Sequence, residues 1–370
     1  MDGKLQSSDK RANNALTLAF PCRELTTALR SIYYRIVRLL EPWFGAHRLK
    51  KYVVTGGAGF IGSALVRGLV ARGDGEIQVI DNLLTGNRRN LAEVSSKIEL
   101  HTVDICNYDG IAPLLRGADV VFHLAAIPSV PRSISEPALS HEVNIDGTFN
   151  VYRAAAAAGV GRVVYAASSS AYGDTEVLPK TETMLANPNS PYAAQKLMGE
   201  YYASVFSSCF NLDTVALRFF NVYGERQDPS SPYSGVISVF MTSLLDRRSP
   251  TIFGDGEQSR DFTYVEDVVA LVIKASEARG LSRRLYNAGN GERHTLNQVW
   301  SHLQKIEGVE LPAKYAAARK GDVRHSQADT VAVTRDLYHH PRYTLEEGLR
   351  RTLAWYRSTR DAAVETQSTP

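Results

Sequence analysis

The sequence predicts an α/β protein, a doubly wound parallel sheet carrying a smaller α/β lobe. Three observations lead there. Short, nearly continuous Val/Ile/Leu runs alternate with helical stretches, the pattern of strands covered on both faces. The first run passes directly into a glycine-rich turn and an apolar helix. After residue 221 the alternation loses its regularity, and Gly, Pro and Ser cluster over 224–235 and 250–259.

The strand runs are KYVVT (51–55), IQVID (77–81), IELHTVD (98–104), DVVFHLAA (119–126), RVVYAAS (162–168) and TVALRFF (214–220). Helical stretches fill the gaps, notably 60–72 and 139–158, the second ending in an alanine run that reads as plain helix. Thr263 and Glu266 have the spacing of a capping box for a helix over 264–278. The sheet domain is therefore expected over 50–222 plus 258–280. The smaller lobe is expected over 223–257 plus 281–370, folded over the carboxyl ends of the strands, where ligands of such sheets bind.

Residues 1–49 stand apart as an N-terminal extension. Within it, 24–44 places Leu25, Leu29, Ile32, Ile36, Leu39 and Leu40 at helical spacing with Arg30, Arg35 and Arg38 interspersed. This basic amphipathic helix has two readings, packing on its own domain or peripheral contact with a membrane surface or partner. A net charge of +3 excludes a dominant nucleic-acid field. Three scattered cysteines argue against a disulfide framework and a cysteine-based metal site, so no metal is expected. They fit a reducing compartment, so a cytoplasmic protein is the expectation, with 24–44 the stretch that would meet a membrane under the second of its two readings. No apolar run reaches membrane-spanning length.

TGGAGFIGS (55–63) follows the first strand and opens the first helix. Gly56, Gly59 and Gly62 permit a tight turn and close backbone approach, and Phe60 and Ile61 begin a helix whose N-terminus suits a pyrophosphate. Asp81 ends the second strand about where a ribose-binding acid belongs, roughly 20 residues on. Asn82 and Leu83 follow it, with no Arg directly behind to hold a 2′-phosphate, so the cofactor expected is NAD rather than NADP. Asp104, followed by Ile105, ends the third run where an adenine amine could be met, or else serves as N-cap for a helix over 107–116. Leu124, Ala125 and Ala126 close the fourth run with small residues beside the cofactor.

The fifth run ends in AASSSAYG (166–173), and NSPYAAQK (189–196) follows about twenty residues later. Ser190 is a good N-cap and Pro191 suits the first helical position, so Tyr192 and Lys196 lie four apart on one helix face. Ser168 at a strand end, with Tyr192 and Lys196 beside a nicotinamide, is an arrangement for moving a proton and a hydride. Free Tyr has a pKa of about 10, and a nearby ammonium and positive nicotinamide would lower it by favouring the phenolate.

With these motifs, and with LRFFNVYG (217–224), the chain resembles the extended short-chain dehydrogenase/reductases from residue 51 to about 355. PSVPRSI (128–134), GERQDP (224–229), GDGEQSRDFTYVEDV (254–268) and RKGDVRHSQAD (319–329) make it similar to nucleotide-sugar epimerases, most of all UDP-N-acetylglucosamine 4-epimerases. The resemblance implies a Rossmann domain, bound NAD, a UDP-sugar substrate and a homodimer formed through helices 137–158 and 192–210. It makes Ser168 and Tyr192 the catalytic pair, with Lys196 holding the nicotinamide ribose and Asn144 behind the site. Asn221 and Arg260 would grip the UDP phosphates, Arg319 the phosphate and Asp322 the uridine ribose. Ser129, Ser133, Ser169, Ser170 and Val236 would line the substrate pocket. Ser326, seven places after Arg319, would lie near the sugar C2 substituent, where a small side chain admits an N-acetyl group; its other reading is a cap on the turn before Asp329. Related dehydratases and decarboxylases carry an acid one or two positions after the catalytic hydroxyl, where this chain has Ser169 and Ser170. The resemblance with that substitution favours simple 4-epimerisation.

Overall fold

The computed structural model describes residues 49–228, 235–281, 283–318 and 323–367. The amphipathic stretch 24–44 lies outside the described residues. From Leu49 onward the chain forms one compact unit.

Seven parallel strands make the central sheet: β1 (Lys50–Thr55), β2 (Gly75–Ile80), β3 (Glu99–His101), β4 (Val120–His123), β5 (Arg162–Ser168), β6 (Thr214–Phe219) and β7 (Leu285–Ala288). Their order is β7-β6-β5-β4-β1-β2-β3. Chain order reverses at β1, whose neighbours β2 and β4 carry the chain to opposite edges, so the crevice for a ligand opens beyond the carboxyl ends of β1 and β4. Both faces are buried. Val54 points into a cluster with Leu65 of α1 (Phe60–Arg72) and Val268 further on; Val53 points into another with Val151 of α2 (Thr148–Ala158) and Phe206 of α3 (Pro191–Phe210). Val268 belongs to α4 (Val265–Glu277), which lies beside α1. The apolar runs lacked a polar alternation because each strand has a core on both sides.

Four expectations are corrected here. The sheet gains β7, which pairs with β6 although the sequence places 281–370 in the smaller lobe. Four residues, LYNA, carry too little apolar text to announce a strand. The helix expected over 139–158 starts at Pro137 and passes through a π-helical turn, Glu142–Gly147, before α2. The capping box at 263–266 does not form: Thr263 lies in a short strand, Phe262–Tyr264, and donates to Asp261, while Glu266 accepts from Tyr343. Asp104 is not a helix cap, because Asn107 caps the short helix Tyr108–Ile111. Among the described residues no helix is long and apolar enough to cross a membrane.

Candidate active site

The glycine turn after β1 is built for close approach. Gly56 has φ +70°, and a Cβ there would stand 2.6 Å from the Ala125 nitrogen. A Cβ on Gly62 would stand 2.1 Å from the Gly56 carbonyl oxygen. The turn therefore packs directly on the segment after β4, and Gly59 caps α1 with the first-turn N–H groups of Phe60 and Ile61 at the crevice. These orphan donors suit a pyrophosphate.

The crevice is a cleft of ≈ 1470 Å³, larger than the roughly 300–1,000 Å³ of a typical small-molecule site. It has room for a dinucleotide and a second ligand. Gly56, Gly59, Phe60, Ile61, Gly62, Asp81, Asn82, Asp104, Ile105, Leu124, Ala125 and Ala126 all line it. Asp81 accepts the Ala58 N–H (2.9 Å) and the Leu83 N–H (2.8 Å), one per oxygen, so half its acceptor capacity is left for a ribose. Leu83 adopts φ +62° to deliver its N–H, a conformation a leucine enters at a cost. Burial pushes the Asp81 carboxyl above its ordinary value and the two N–H groups hold it back. Asp104 accepts from Asn82 (2.7 Å) and from the Cys106 N–H (2.8 Å); burial raises its pKa, but these bonds carry it below the ordinary carboxylate value.

Ser168 ends β5, and Ser170 turns back to donate its hydroxyl (2.8 Å) and N–H (3.2 Å) to the Ser168 Oγ. Ser190 caps α3 by accepting the Ala193 N–H, with Pro191 at the first turn, as the sequence requires. Ser168, Tyr192 and Lys196 all face the cleft. Burial pushes the Tyr192 phenol above its ordinary value and Ser168 pulls it back. Lys196 is 4% exposed, and its ammonium lies 4.8 Å from the centroid of the Tyr165 ring. Burial lowers its pKa to about 7, against the raising effect of Glu200. The expected lowering of Tyr192 by Lys196 is thus outweighed in the protein alone, because burial disfavours the charged form of both groups.

Of three further predicted residues, Asn144 stands behind the site as expected, and two stand elsewhere. Asn144 is behind the cleft, exchanging hydrogen bonds with both backbone groups of Ile127 and donating to Gln195, so it braces the segment after β4 and does not line the cofactor cleft. Ser133 is fully buried; it accepts the Tyr192 N–H (3.1 Å) and donates to the Val130 carbonyl, which pins the start of α3 instead of touching substrate. Val236 opens the helix Val236–Leu245 and packs toward the hydrophobic core. In the last two cases the segment is near the site but the side chain faces away, which proximity in sequence does not reveal.

Ser129, Ser169, Ser170, Asn221, Arg260 and Ser326 also line the cleft. The Ser326 N–H donates to the Ser259 carbonyl (3.0 Å), which sets Ser326 beside Arg260. Asp261 is fully buried and accepts N–H groups from Asn290 (2.7 Å), Gly291 (2.9 Å) and Ala328 (3.0 Å), tying three loops together; burial lifts its pKa to about 6 against these bonds. Arg319 and Asp322 lie outside the described residues. Tyr172, Lys180 and Arg226 also line the cleft; Tyr172 and Arg226 fall within the AASSSAYG and GERQDP segments without being singled out there, and Lys180 lies in a stretch with no motif. Gly86 was findable as a glycine soon after the acid: a Cβ there would stand 2.8 Å from the Asp81 Oδ1.

A doubly wound sheet with this turn, this acid and a Ser–Tyr–Lys cluster defines a dinucleotide-dependent enzyme. Residues 52–289 match the NAD dependent epimerase/dehydratase family, and the chain belongs to that family, with NAD as its cofactor. It is 37% identical over 310 residues to a UDP-glucose 4-epimerase of Mycolicibacterium smegmatis, an alignment covering 83% of this chain and 98% of that one. It is similar in structure to the UDP-N-acetylglucosamine 4-epimerase of Methanobrevibacter ruminantium, solved with UDP-N-acetylmuramic acid (TM-score 0.80, 37% identity, 84% of this chain and 99% of that one). The UDP-glucose 4-epimerase of Thermus thermophilus, solved with NAD, matches with a TM-score of 0.76 at 35% identity over 83% of this chain and 99% of that one.

Proposed function

We propose that this enzyme epimerises UDP-sugars at C4, interconverting UDP-N-acetylglucosamine and UDP-N-acetylgalactosamine and, less readily, UDP-glucose and UDP-galactose. The observation that carries the reaction type is the wall beside Tyr192: Ser168, Ser169 and Ser170 line it in succession, with no carboxylate among them to drive elimination of water. NAD, which the glycine turn Gly56, Gly59 and Gly62 and the Asp81 carboxylate would hold, would supply the reversible two-electron acceptor for the C4 hydride. Tyr192 takes the proton from the sugar 4-hydroxyl and gives it back on the opposite face. Ser168 shares that hydroxyl, held in orientation by Ser170. Arg260 suits the diphosphate, since a guanidinium fork bonds two oxygens at once. The cleft's width leaves the oxidised sugar space to turn about its link to the diphosphate. The reaction is redox-neutral, so the cofactor need not be exchanged.

Preference for the acetylated sugar rests on Ser326, a small side chain on the cleft wall beside Arg260. The alternative is an epimerase of UDP-glucose or a UDP-uronic acid without that preference. Pure protein assayed without added NAD should convert UDP-N-acetylglucosamine with the highest kcat/KM, ahead of UDP-glucose and UDP-glucuronate. Ser326→Tyr should lose the acetylated sugars at least tenfold while UDP-glucose turnover survives, because added bulk discriminates by repulsion. An unchanged ratio would remove the acetyl-sugar assignment, and a 4-keto-6-deoxy product would remove epimerisation.

A homodimer belongs to the same proposal. Met198, Tyr201, Val205 and Phe210 leave an apolar stripe exposed along α3, with Phe149 exposed on α2 beside it. Two copies burying this face would form a symmetric pair, and light scattering should give twice the 40.7 kDa chain mass.

A further inference from the structure

We propose that Glu200, clamped by Arg218, is the counter-charge that keeps Lys196 protonated in the reactive centre. The proposal rests on the assignment of Lys196 to catalysis made above. Glu200 follows Lys196 by four residues on α3 and shares its helix face. It is 8% exposed, and Arg218 of β6 holds both of its oxygens, Nε to Oε1 at 2.9 Å and Nη2 to Oε2 at 2.7 Å. The guanidinium in turn lies over the Tyr172 ring, 4.4 Å from its centroid, and Tyr172 is fixed by donating to Asn287. The carboxylate is therefore held in place on the Arg218 fork. Burial pushes the Glu200 carboxyl up, and the Arg218 fork and Lys196 pull it back toward ionisation.

The groups packed around Lys196 from other elements offer no substitute. Tyr165 of β5 and Tyr152 of α2 are pushed well above the ordinary tyrosine value by burial, and His123 of β4 is lowered to about 3, so all three are neutral near pH 7. Tyr192, on the same helix, is also raised by burial. Among the described residues acting electrostatically on Lys196, that leaves Glu200 as the negative charge. Replacing a buried ion pair by apolar groups of similar volume is often neutral or stabilising, so stability alone is a weak reason to keep this one.

The test follows the Lys196 ammonium directly. Holoenzyme labelled with carbon-13 at the lysine Cε is titrated by NMR, the Lys196 signal being assigned by its loss in Lys196→Arg. In Glu200→Gln the midpoint should fall by about one pH unit or more, since losing a buried opposite charge on the same helix face disfavours the ammonium. The alkaline limb of kcat should move down with it. Because this variant strands the buried Arg218 charge, the double variant Glu200→Gln/Arg218→Met is measured beside it. It should recover thermal stability and still show a lowered Lys196 midpoint. A folded double variant with the wild-type midpoint would overturn the proposal and leave the pair a structural clamp. A lowered midpoint with an unmoved rate profile would uphold the counter-charge and instead remove Lys196 from the chemistry.

Discussion

At the scale of single residues, the proposed reaction rests on one oxygen of Tyr192. Its neighbours Ser168 and Lys196 are already oriented, so Tyr192→Phe should retain NAD and fold while kcat falls about 100- to 10,000-fold, the range of general-base contributions. A variant keeping more than a tenth of wild-type turnover would contradict the assignment. These three residues were legible in the sequence because strand end and helix spacing fix them together: Ser168 closes a β run, and Tyr192 and Lys196 lie four apart behind a Ser-Pro cap. Asn144 was legible in its place behind the site but not in its partners, and Ser133 and Val236 were not legible in their roles. The first two have polar groups that the backbone itself consumes, and which buried N–H or carbonyl needs a partner is decided by tertiary packing. Asp81 shows the intermediate case: its place was readable, but the left-handed Leu83 that feeds it an N–H was not.

At the scale of elements, Gly199 lets α3 seat directly on the Tyr165 side chain of β5. A Cβ on Gly199 would stand 2.2 Å from the Tyr165 hydroxyl, itself donating to the Lys196 carbonyl at 3.3 Å. Gly199→Ala must lift the helix or move the ring, and overpacking of this kind costs roughly 1–3 kcal/mol. We expect a lower Tm together with a tenfold or greater loss of kcat, because Tyr192 and Lys196 ride on the displaced helix. A melting point and kcat within twofold of wild type would show that the approach is not needed. Element bounds followed the text best where periodicity was strong: α1 and β5 have the predicted limits, Phe60–Arg72 and Arg162–Ser168. They failed where a local signal met a competing contact. Thr263 and Glu266 had capping spacing, but buried Asp261 and Tyr343 claimed their side chains.

For the whole molecule, His123 is the informative group. It lies fully buried between Thr55 of β1 (2.8 Å) and Thr148 of α2 (3.0 Å), joining the sheet's centre to the layer that covers it. Burial lowers its pKa from an ordinary 6.5 to about 3, so the unfolded chain takes up a proton in that window and the folded one does not. The stability this group contributes is complete above pH 6.5 and is lost as the pH falls toward 3. Urea unfolding of wild type and His123→Gln, compared at successive pH values, should show the wild-type advantage shrinking by up to ~1.4 kcal/mol per pH unit across the window. An advantage independent of pH would mean that the imidazole is already charged in the fold. The sheet around this histidine was readable as an architecture, since seven parallel strands need apolar runs and crossover helices. Its last edge was not, because β7 is defined by its pairing to β6 more than by its own four residues.

The π-helical turn at Glu142–Gly147 has a consequence for how such a chain can change over time. Asn144 and Thr148 leave the same winding to reach Ile127, in the segment just beyond β4, and His123, at the end of β4. Each residue advances an α-helix by about 100°, so losing one residue here would restore regular winding and turn one anchor away from its target. Gaining one would do the same in the opposite sense. Irregular segments such as 173–179 can lengthen or shorten a residue at a time, but this stretch can drift in composition only at constant length. Descendants of this sequence should therefore carry substitutions between Asn144 and Thr148 and no single-residue insertions or deletions.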